Sequence, residues 1–269
     1  MSAPFANVED YAGPPPGTCD VWWARADAVR PWHQELFDAV ETERASRYLH
    51  DEDRARFVVG VALTRLLVGD IYDVEPVTVS LDRTCAECGK SHGRPVIVSA
   101  AGHDRSAARA DEDKTSQAST YELSIAHSGA WVLVALTQGC GVGVDIEQVV
   151  EREDNRDIAR RLFTESEQRE IAAYSSWTEG FYRQWVAKES ALKAVGEGLS
   201  TALDAVSVPP LEQTVGRVEF RHRIDVNATL QRLEAPPGYA AAVTTLTPQN
   251  VPLRMLRADE RLSAKQRPV

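Results

Sequence analysis

The sequence has few of the features that mark several large classes of protein. Its 269 residues include only four cysteines, and its 30 basic residues are outnumbered by 40 acidic ones. The cysteines are too few and too scattered to form a disulfide framework in a chain of this length. The net charge of −10 argues against nucleic acid as the main partner.

Long apolar runs are also missing. No stretch approaches the ~20 residues that a transmembrane helix needs, and the proline-rich start has no apolar signal-peptide core. We therefore expect a soluble, cytoplasmic protein without a membrane or nucleic-acid partner. With 43% hydrophobic residues the chain can bury a sizeable core, and its length allows one large domain or two small ones.

Three potential zinc ligands lie close together in the sequence. Cys85, Cys88 and His92 have zinc-ligand spacing in a turn-rich stretch. A structural zinc site needs four ligands, so His103 or Cys19 would have to supply the fourth. Zinc binding therefore stays an open hypothesis, and we favour the alternative of a reduced loop without metal.

Helical and strand-like patterns occur in separate runs in both halves of the chain. Helices are predicted at residues 41–47 and 53–72, and a helical pattern runs from 158 to 193. Strands are predicted at residues 205–208, 218–224 and 239–246. Such separate runs are typical of an α+β fold, here with a duplicated organisation.

The duplicated pattern predicts two subdomains, residues 1–138 and 139–269. Within the first, residues 100–120 are rich in Ala, Asp, Ser and Arg and contain almost no large apolar side chains. That composition predicts a mobile loop.

An acid and two lysines lie within one predicted helix at residues 181–199, which ends in glycines. At 3.6 residues per turn, Lys188, Glu189 and Lys193 fall on neighbouring faces. Glu189 and Lys193 alone could form a solvated ion pair worth about 0.2–0.5 kcal/mol. Lys188 suits an ion pair and a phosphate contact equally well.

A pair of acids precedes this helix in Val142-Gly143-Val144-Asp145-Ile146-Glu147. The motif follows an apolar run at 131–136 and a glycine-rich turn, which together predict a hairpin. Side chains alternate along a strand, so Asp145 and Glu147 share one face. The bland alternative is a solvent-facing pair. However, adjacent carboxylates repel, and a divalent cation removes that cost. Oxygen ligands without nearby Cys or paired His favour magnesium, with Glu189 as the third carboxylate.

These motifs resemble a known family. Residues 142–147 followed by Trp185-x-x-Lys188-Glu189-Ser190-x-x-Lys193 resemble the paired signature of the 4′-phosphopantetheinyl transferases. With Leu123-Ser124-Ile125-Ala126-His127-Ser128-Gly129-Ala130-Trp131 in front, the chain looks like the surfactin-synthetase-activating type. The order and spacing of the three blocks are more specific than any one block. Weaker similarity covers residues 44–67, 93–95 and 237–243.

The resemblance implies a fold and an activity. The fold would be two similar α+β subdomains related by an approximate two-fold axis, with coenzyme A in the cleft between them. The activity would be transfer of 4′-phosphopantetheine from coenzyme A to a serine of an apo acyl or peptidyl carrier protein, releasing 3′,5′-ADP. We expect a monomer, because a duplicated chain builds a two-sided cleft by itself.

The resemblance also implies residue roles. Contacts to coenzyme A would come from Arg44, Arg56, Arg94, His127 and Lys188. Phe57 and Ala126 stand where some members have polar residues. Arg44 and Arg56 could instead be solvated helix residues, Arg94 an ordinary turn residue, and His127 could simply cap its turn.

In the implied mechanism, Asp145, Glu147 and Glu189 hold Mg²⁺. Glu189, or a water bound to the metal, would accept the serine proton, and Lys193 would stabilise or protonate the departing phosphate. Two other interpretations stay open. One is a magnesium-dependent hydrolase of coenzyme A or a nucleotide pyrophosphate, and the other is a non-catalytic module that binds coenzyme A or a carrier protein.

Overall fold

The structure, a computed structural model, describes residues 10–84, 89, 93–100, 103–104, 121–197 and 201–263. Contacts divide the chain into two compact units, and unit 1 comprises Met1–Gly139 and Pro252–Val269. Unit 2 comprises Cys140–Val251. Both units contain helices and sheets, so the predicted α+β class is confirmed. No helix within the described ranges is long and apolar enough to cross a membrane.

Unit 1 is built on a four-stranded sheet in the order β12-β1-β6-β5. These strands are β1 (Cys19–Arg25), β5 (Tyr121–Ser128), β6 (Trp131–Gln138) and β12 (Leu253–Arg257). β12 runs parallel to β1, and the other neighbours are antiparallel. A second, small sheet contains β2 (Ser80–Asp82), β3 (Val96–Ala100) and β4 (His103–Asp104). The helices are α1 (Ala39–Ser46), α2 (Asp51–Tyr72) and α6 (Asp259–Ser263).

Helix α2 forms the centre of the unit 1 core. It begins with three acidic residues, which favour the positive end of the helix dipole. Every residue from Phe57 to Gly69 is buried, Thr64 and Arg65 included, so this stretch of the helix is covered on all sides rather than on one face. Leu63 and Leu66 pack in one cluster with Trp22, Val134 and Leu256 of the sheet.

Unit 2 is built on a five-stranded antiparallel sheet in the order β7-β11-β10-β9-β8. The strands are β7 (Val142–Gln148), β8 (Val206–Ser207), β9 (Val215–Phe220), β10 (Ala228–Arg232) and β11 (Tyr239–Thr245). The helices are α3 (Asn155–Leu162), α4 (Glu165–Ala173) and α5 (Trp177–Val195). Phe181, Val186 and Leu192 of α5 share one core cluster with Val218 and Leu230 of the sheet.

The helical pattern predicted at residues 158–193 is divided among three helices because capping residues interrupt it. Thr164 accepts the backbone N–H of Glu167 and starts α4. Ser176 accepts the backbone N–H of Glu179 at 3.3 Å and starts α5. Helix α5 ends at Gly196, whose φ of 79° lies in the left-handed region that glycine adopts without strain.

The hairpin predicted between residues 131–136 and 142–147 is wrong. β6 has β1 on one side and β5 on the other, so both of its edges are already paired. β7 pairs with β11 instead. The glycine-rich segment around Gly139 therefore connects two different sheets, and the hairpin of this region turns between β5 and β6.

The division of the chain also differs from the predicted boundary at its C-terminal end. The prediction placed all of residues 139–269 in the second subdomain, whereas Pro252–Val269 goes with unit 1. The reason is strand pairing between β12 and β1, reinforced by an ion pair between partly exposed Arg254 and a buried carboxylate. Arg254 donates from Nε and Nη2, each at 2.6 Å, to the two carboxylate oxygens of Asp20. The Tyr11 hydroxyl donates to the same fully buried carboxylate at 2.9 Å.

Two predictions concern residues that are mostly outside the description. Residues 103–104 of the predicted loop 100–120 pair with β3 as a short strand, and residues 105–120 lie outside the described ranges. Cys85, Cys88 and His92 also lie outside them, as does the side chain of His103. Zinc binding by this group stays a prediction.

We predict that Arg254→Met lowers the free energy of unfolding by about 2–4 kcal/mol, because it leaves the Asp20 carboxylate buried without a cation. Arg47→Met is the control, since Arg47 pairs with Glu43 where both side chains are exposed, and it should cost at most about 1 kcal/mol. Urea unfolding measures both. Equal effects of the two substitutions would show that the buried pair does not hold β12.

Candidate active site

Helix α5 packs against β7, and its backbone comes very close to the strand at Gly143. A Cβ atom added to Gly143 would overlap the backbone of Ser190 and Ala194. The strand beside β7 also presents small side chains, with Ala242 opposite Asp145. Because these positions carry almost no side-chain volume, the helix backbone approaches the sheet closely, which lets α5 side chains reach the acids of β7.

The two acids of β7 alternate with buried apolar residues, as predicted. Val144 and Ile146 are fully buried, Asp145 is 5% exposed, and Glu147 is half-buried. Asp145 therefore lies beneath the helix, and Glu147 lies towards the end of the strand where solvent reaches it.

Lys193 connects the helix to the strand. Its Nζ donates to Asp145 Oδ1 at 2.6 Å, and its side chain is 29% exposed. Burial by itself would lower the pKa of Lys193, but Asp145, and then Glu189 and Glu147, raise the pKa overall. Burial raises the pKa of Asp145, and Lys193 opposes that rise. The sequence left open a solvated ion pair between Glu189 and Lys193 within α5, but Lys193 pairs with Asp145 of β7 instead.

Glu189 is the buried carboxylate of the helix. It is 7% exposed. Burial, followed by the nearby charge of Asp145, raises the pKa of Glu189 to about 7, while Lys193 opposes the rise. Such a carboxylate is partly ionised at neutral pH and can both accept and release a proton. A pKa raised by burial and by a neighbouring carboxylate is the kind of perturbation that marks functional sites.

The donor set fits a hard divalent cation, although three ligands do not converge. Asp145 Oδ2 and Glu189 Oε1 are buried oxygens without a hydrogen-bond partner, and a buried carboxylate oxygen without a partner is costly. Among the described residues no group of three His, Cys, Asp or Glu side chains is arranged to hold a metal. Magnesium usually takes one or two carboxylates and completes its shell with water and phosphate oxygens. Two buried carboxylates with Glu147 beside them meet that requirement.

Lys188 does not fit the phosphate contact that the resemblance implied. Its side chain is fully buried, and its Nζ lies 2.6 Å from the Glu167 carboxylate. The same ammonium donates to the carbonyls of Leu203 and Val206, each at 2.8 Å. All three of its N–H groups are used inside unit 2, so Lys188 joins α5 to α4, to β8 and to the segment just before β8. Two lysines in one helix look alike in sequence, and only the tertiary contacts separate them.

The other residues expected to contact coenzyme A lie in unit 1, where two of them border one turn. His127 is near the end of β5 and exposed. The Arg56 guanidinium donates to Gly129 O at 2.8 Å and pairs with Asp53. Arg56 therefore joins α2 to the turn that follows His127, and this contact supports the turn whatever else Arg56 binds.

Arg44 and Arg94 have different surroundings. The Arg44 guanidinium lies over the Phe57 ring, 5.2 Å from its centroid, and Arg94 forms an ion pair with Glu122. The structure adds Arg83, which the sequence did not single out. Burial, and then the charge of Arg44, lower the pKa of Arg83 to about 10, and its Nε is buried without a hydrogen-bond partner. No local sequence pattern distinguishes Arg83, because only the fold brings it near Arg44.

Comparison with known proteins now adds independent information. The sequence model of the 4′-phosphopantetheinyl transferase superfamily matches residues 141–244. The 4′-phosphopantetheinyl transferase ffp of Bacillus subtilis is 27% identical over 228 residues, which cover 81% of this chain and 89% of that protein. The 4′-phosphopantetheinyl transferase Sfp of B. subtilis strain 168 is 26% identical over 208 residues, covering 77% and 80%.

A further 4′-phosphopantetheinyl transferase of B. subtilis is 28% identical over 172 residues, which cover 63% of this chain and 65% of that relative. The match of the superfamily includes Asp145, Glu147, Glu189 and Lys193. The resemblance seen in the three sequence blocks is confirmed.

We predict that Lys188→Met is a stability mutation. It leaves the buried Glu167 carboxylate without its cation, so the free energy of unfolding should fall by about 3–5 kcal/mol. The affinity of the remaining folded protein for coenzyme A should stay within a factor of about two. Urea unfolding and a binding titration at low temperature measure the two quantities. A stable variant with much weaker coenzyme A binding would restore Lys188 as a phosphate ligand.

Proposed function

We propose that this chain transfers 4′-phosphopantetheine from coenzyme A to a serine of an acyl or peptidyl carrier protein and releases 3′,5′-ADP. The observation that carries the proposal is the convergence of Asp145, Glu189 and Lys193 on the α5–β7 contact. This convergence falls inside the region similar to the 4′-phosphopantetheinyl transferase superfamily. The duplicated organisation of the chain adds a monomer to the proposal, and the sequence composition adds a cytoplasmic location.

The acids are the proposed site of Mg²⁺. Asp145 and Glu189 would contribute the two buried oxygens that lack hydrogen-bond partners, and half-buried Glu147 would hold the ion directly or through water. When bound, magnesium would neutralise negative charge on the pyrophosphate of coenzyme A during transfer.

Glu189 is the proposed general base. In the metal-free protein, burial and Asp145 raise its pKa to about 7. At this position its carboxylate would accept the proton of the attacking serine. The nucleophile belongs to the carrier protein. Ser190, the neighbouring serine of this chain, is fully buried and bonded to Ala187 O and to the Thr244 hydroxyl, each at 2.9 Å, so it is not available for attack.

Lys193 is the proposed partner of the leaving group. Its ammonium, held 2.6 Å from Asp145 Oδ1 and partly exposed, remains charged because the surrounding carboxylates raise its pKa. A cation fixed in this position stabilises charge that develops on the departing phosphate without reorganising. The same ammonium keeps the Asp145 carboxylate in place before substrate arrives.

Phosphate binding is proposed for cations of unit 1. Arg44, Arg56, Arg94 and His127 remain the candidates, and Arg83 joins them because it adds a second guanidinium beside Arg44. One guanidinium group can donate two parallel hydrogen bonds to a phosphate, which suits the 3′-phosphate and pyrophosphate of coenzyme A.

The proposal is tested by incubating the protein with coenzyme A, magnesium and a panel of apo-carrier proteins. Intact mass spectrometry should show the carrier heavier by one phosphopantetheine, with 3′,5′-ADP released in equal amount. A magnesium-dependent pyrophosphate hydrolase would release 3′,5′-ADP and leave every carrier unchanged. A non-catalytic module would bind coenzyme A or carrier and release nothing.

We predict opposite effects of Glu189→Gln on stability and on activity. The raised pKa means that the folded protein gains stability from the Glu189 proton below the ordinary pKa of 4.5 and loses this stability as pH rises through about 7. Without metal, the variant should exceed the parent by about 1–3 kcal/mol at pH 8, and the difference should shrink towards pH 5. Transfer should fall by about 10²-fold or more.

Urea unfolding in chelator at several pH values measures the stability of this variant, and carrier mass measures its transfer. Glu153→Gln, at an exposed position, is the matched control and should change neither. A parent and a Glu189→Gln variant with the same pH profile of stability would contradict the buried, titrating carboxylate.

We predict that Lys193→Ala lowers the maximal rate about 10²-fold with little change in coenzyme A affinity, because the ammonium acts mainly in the transition state. Lys193→Arg should restore only part of the rate, since guanidinium cannot donate a proton near neutral pH. Without metal, Lys193→Ala should also unfold more easily, because Asp145 loses its cation. A variant that is less stable but transfers at the parental rate would make Lys193 purely structural.

A further inference from the structure

The hairpin of β5 and β6 ends in a two-residue turn, Gly129-Ala130, and the exposed residue His127 lies two positions before it. Gly129 has a φ of 52°, and Ala130 has no positive φ. Positive φ at the first loop residue alone is the pattern of a type II′ turn, in which glycine is favoured. The geometry of this turn sets the path of the strand end that carries His127.

Both carbonyl groups of the turn accept hydrogen bonds from outside the hairpin. Arg56 Nη1, on α2, donates to Gly129 O at 2.8 Å. The backbone N–H of Ala26, just after β1, donates to Ala130 O at 3.0 Å. Water could satisfy carbonyls at such a turn. These two bonds therefore do more than satisfy polar groups, because they attach the turn to two other elements of unit 1.

The residue after the turn is held by packing. Trp131 is 8% exposed, and the guanidinium groups of Arg25 and Arg257 lie over its ring, 5.3 and 5.2 Å from the centroid. The Trp23 ring packs against the Trp131 ring in a T-shaped pair, with centroids 5.8 Å apart. These contacts come from β1 and β12 and fix the turn to the sheet. The Arg56 hydrogen bond adds a contact from a helix.

The charge of Arg56 is already balanced beside the turn. Its guanidinium pairs with Asp53, about one helical turn earlier on α2, and its side chain is 15% exposed. A phosphate that contacted Arg56 would approach the Asp53 carboxylate as well, and like charges repel. The neutral carbonyl of Gly129 meets far less repulsion. The surroundings of Arg56 therefore suit a residue that holds the turn better than one that binds phosphate.

We propose that Arg56 is a positioning residue for coenzyme A binding. It holds the Gly129 turn where His127 can contact a phosphate group, and it does not contact the phosphate itself. This role rests on the proposed function, in which His127 is a coenzyme A contact. In the competing interpretation, the Arg56 guanidinium contacts a phosphate directly and contributes to affinity independently of His127.

The test is a double-mutant cycle on the full chain, measured by calorimetric titration with coenzyme A and magnesium at fixed ionic strength. Arg56→Met should weaken binding about fivefold, because the turn loses a hydrogen bond from a charged donor. His127→Ala should weaken binding about tenfold. The double variant should bind as His127→Ala does, because without the imidazole the position of the turn no longer affects the phosphate. Two independent phosphate contacts would instead multiply to about fiftyfold.

Arg54→Met is the matched control. Arg54 lies two residues earlier on the same helix, is exposed, and pairs with exposed Asp51. Its loss should leave the affinity within a factor of about two of the parent. In transfer assays, Arg56→Met should raise the KM for coenzyme A about fivefold and leave kcat unchanged, as expected when only ground-state binding is lost.

A double variant that binds about fivefold more weakly than His127→Ala would overturn the proposal, since Arg56 would then act without His127. Parental affinity of Arg56→Met or of His127→Ala would overturn it as well. The proposed function fails in a different way. Coenzyme A binding without any gain in carrier mass would reject transfer alone, whereas a parent that does not bind coenzyme A would reject both.

If Arg56→Met does not fold, Gly129→Ala takes its place in the cycle. Alanine is strained at the positive φ of this position, so the variant shifts the turn and leaves every cation present. It should weaken coenzyme A binding in the parent and have no further effect in His127→Ala. Parental affinity of Gly129→Ala, or an equal effect with and without His127, would overturn the proposal.

Discussion

The close contact between α5 and β7 is the constraint on which the proposed active site depends. Position 143 accepts only glycine without rearrangement, because the backbone of Ser190 and Ala194 occupies the space that a side chain would need. With the helix this near, Lys193 reaches Asp145 directly. The same closeness keeps water away from Glu189, and the loss of water raises its pKa. Packing volume at one strand position thus sets the electrostatics of the acids around it.

The acids are held in an arrangement that does not favour the folded protein by itself. Asp145 and Glu189 each have a buried oxygen without a hydrogen-bond partner, and one lysine balances only part of their charge. Contacts elsewhere compensate, notably those of Lys188 that join α5 to α4, to β8 and to the segment just before β8. Functional sites are commonly less stable than their scaffold for this reason. The two lysines of α5 have different roles, because Lys188 stabilises the surrounding fold and Lys193 contacts the acids of the site.

Local sequence pattern was enough to predict the elements that carry the site. Alternation in β7 and the glycine end of α5 depend on neighbouring residues, and both predictions are confirmed. Partner choice between strands depends on distant residues, which explains the wrong hairpin at β6 and β7. β10 and β12 were missed because short strands with arginine or glutamine inside them lack a clear apolar alternation. The role of Lys188 depends on carbonyls at Leu203 and Val206, which no pattern in the helix encodes.

The pairing of β12 with β1 has a consequence for folding order. The chain leaves unit 1 after Gly139 and returns to it at Pro252. In the sequence, all of unit 2 therefore comes after β1 and before β12, two neighbouring strands of the unit 1 sheet. During synthesis from the N-terminus, the sheet of unit 1 stays incomplete until β12 has left the ribosome. By then every residue of unit 2 has already emerged. Unit 2 can therefore complete its own core first, while the edge of β1 that pairs with β12 still has no partner strand.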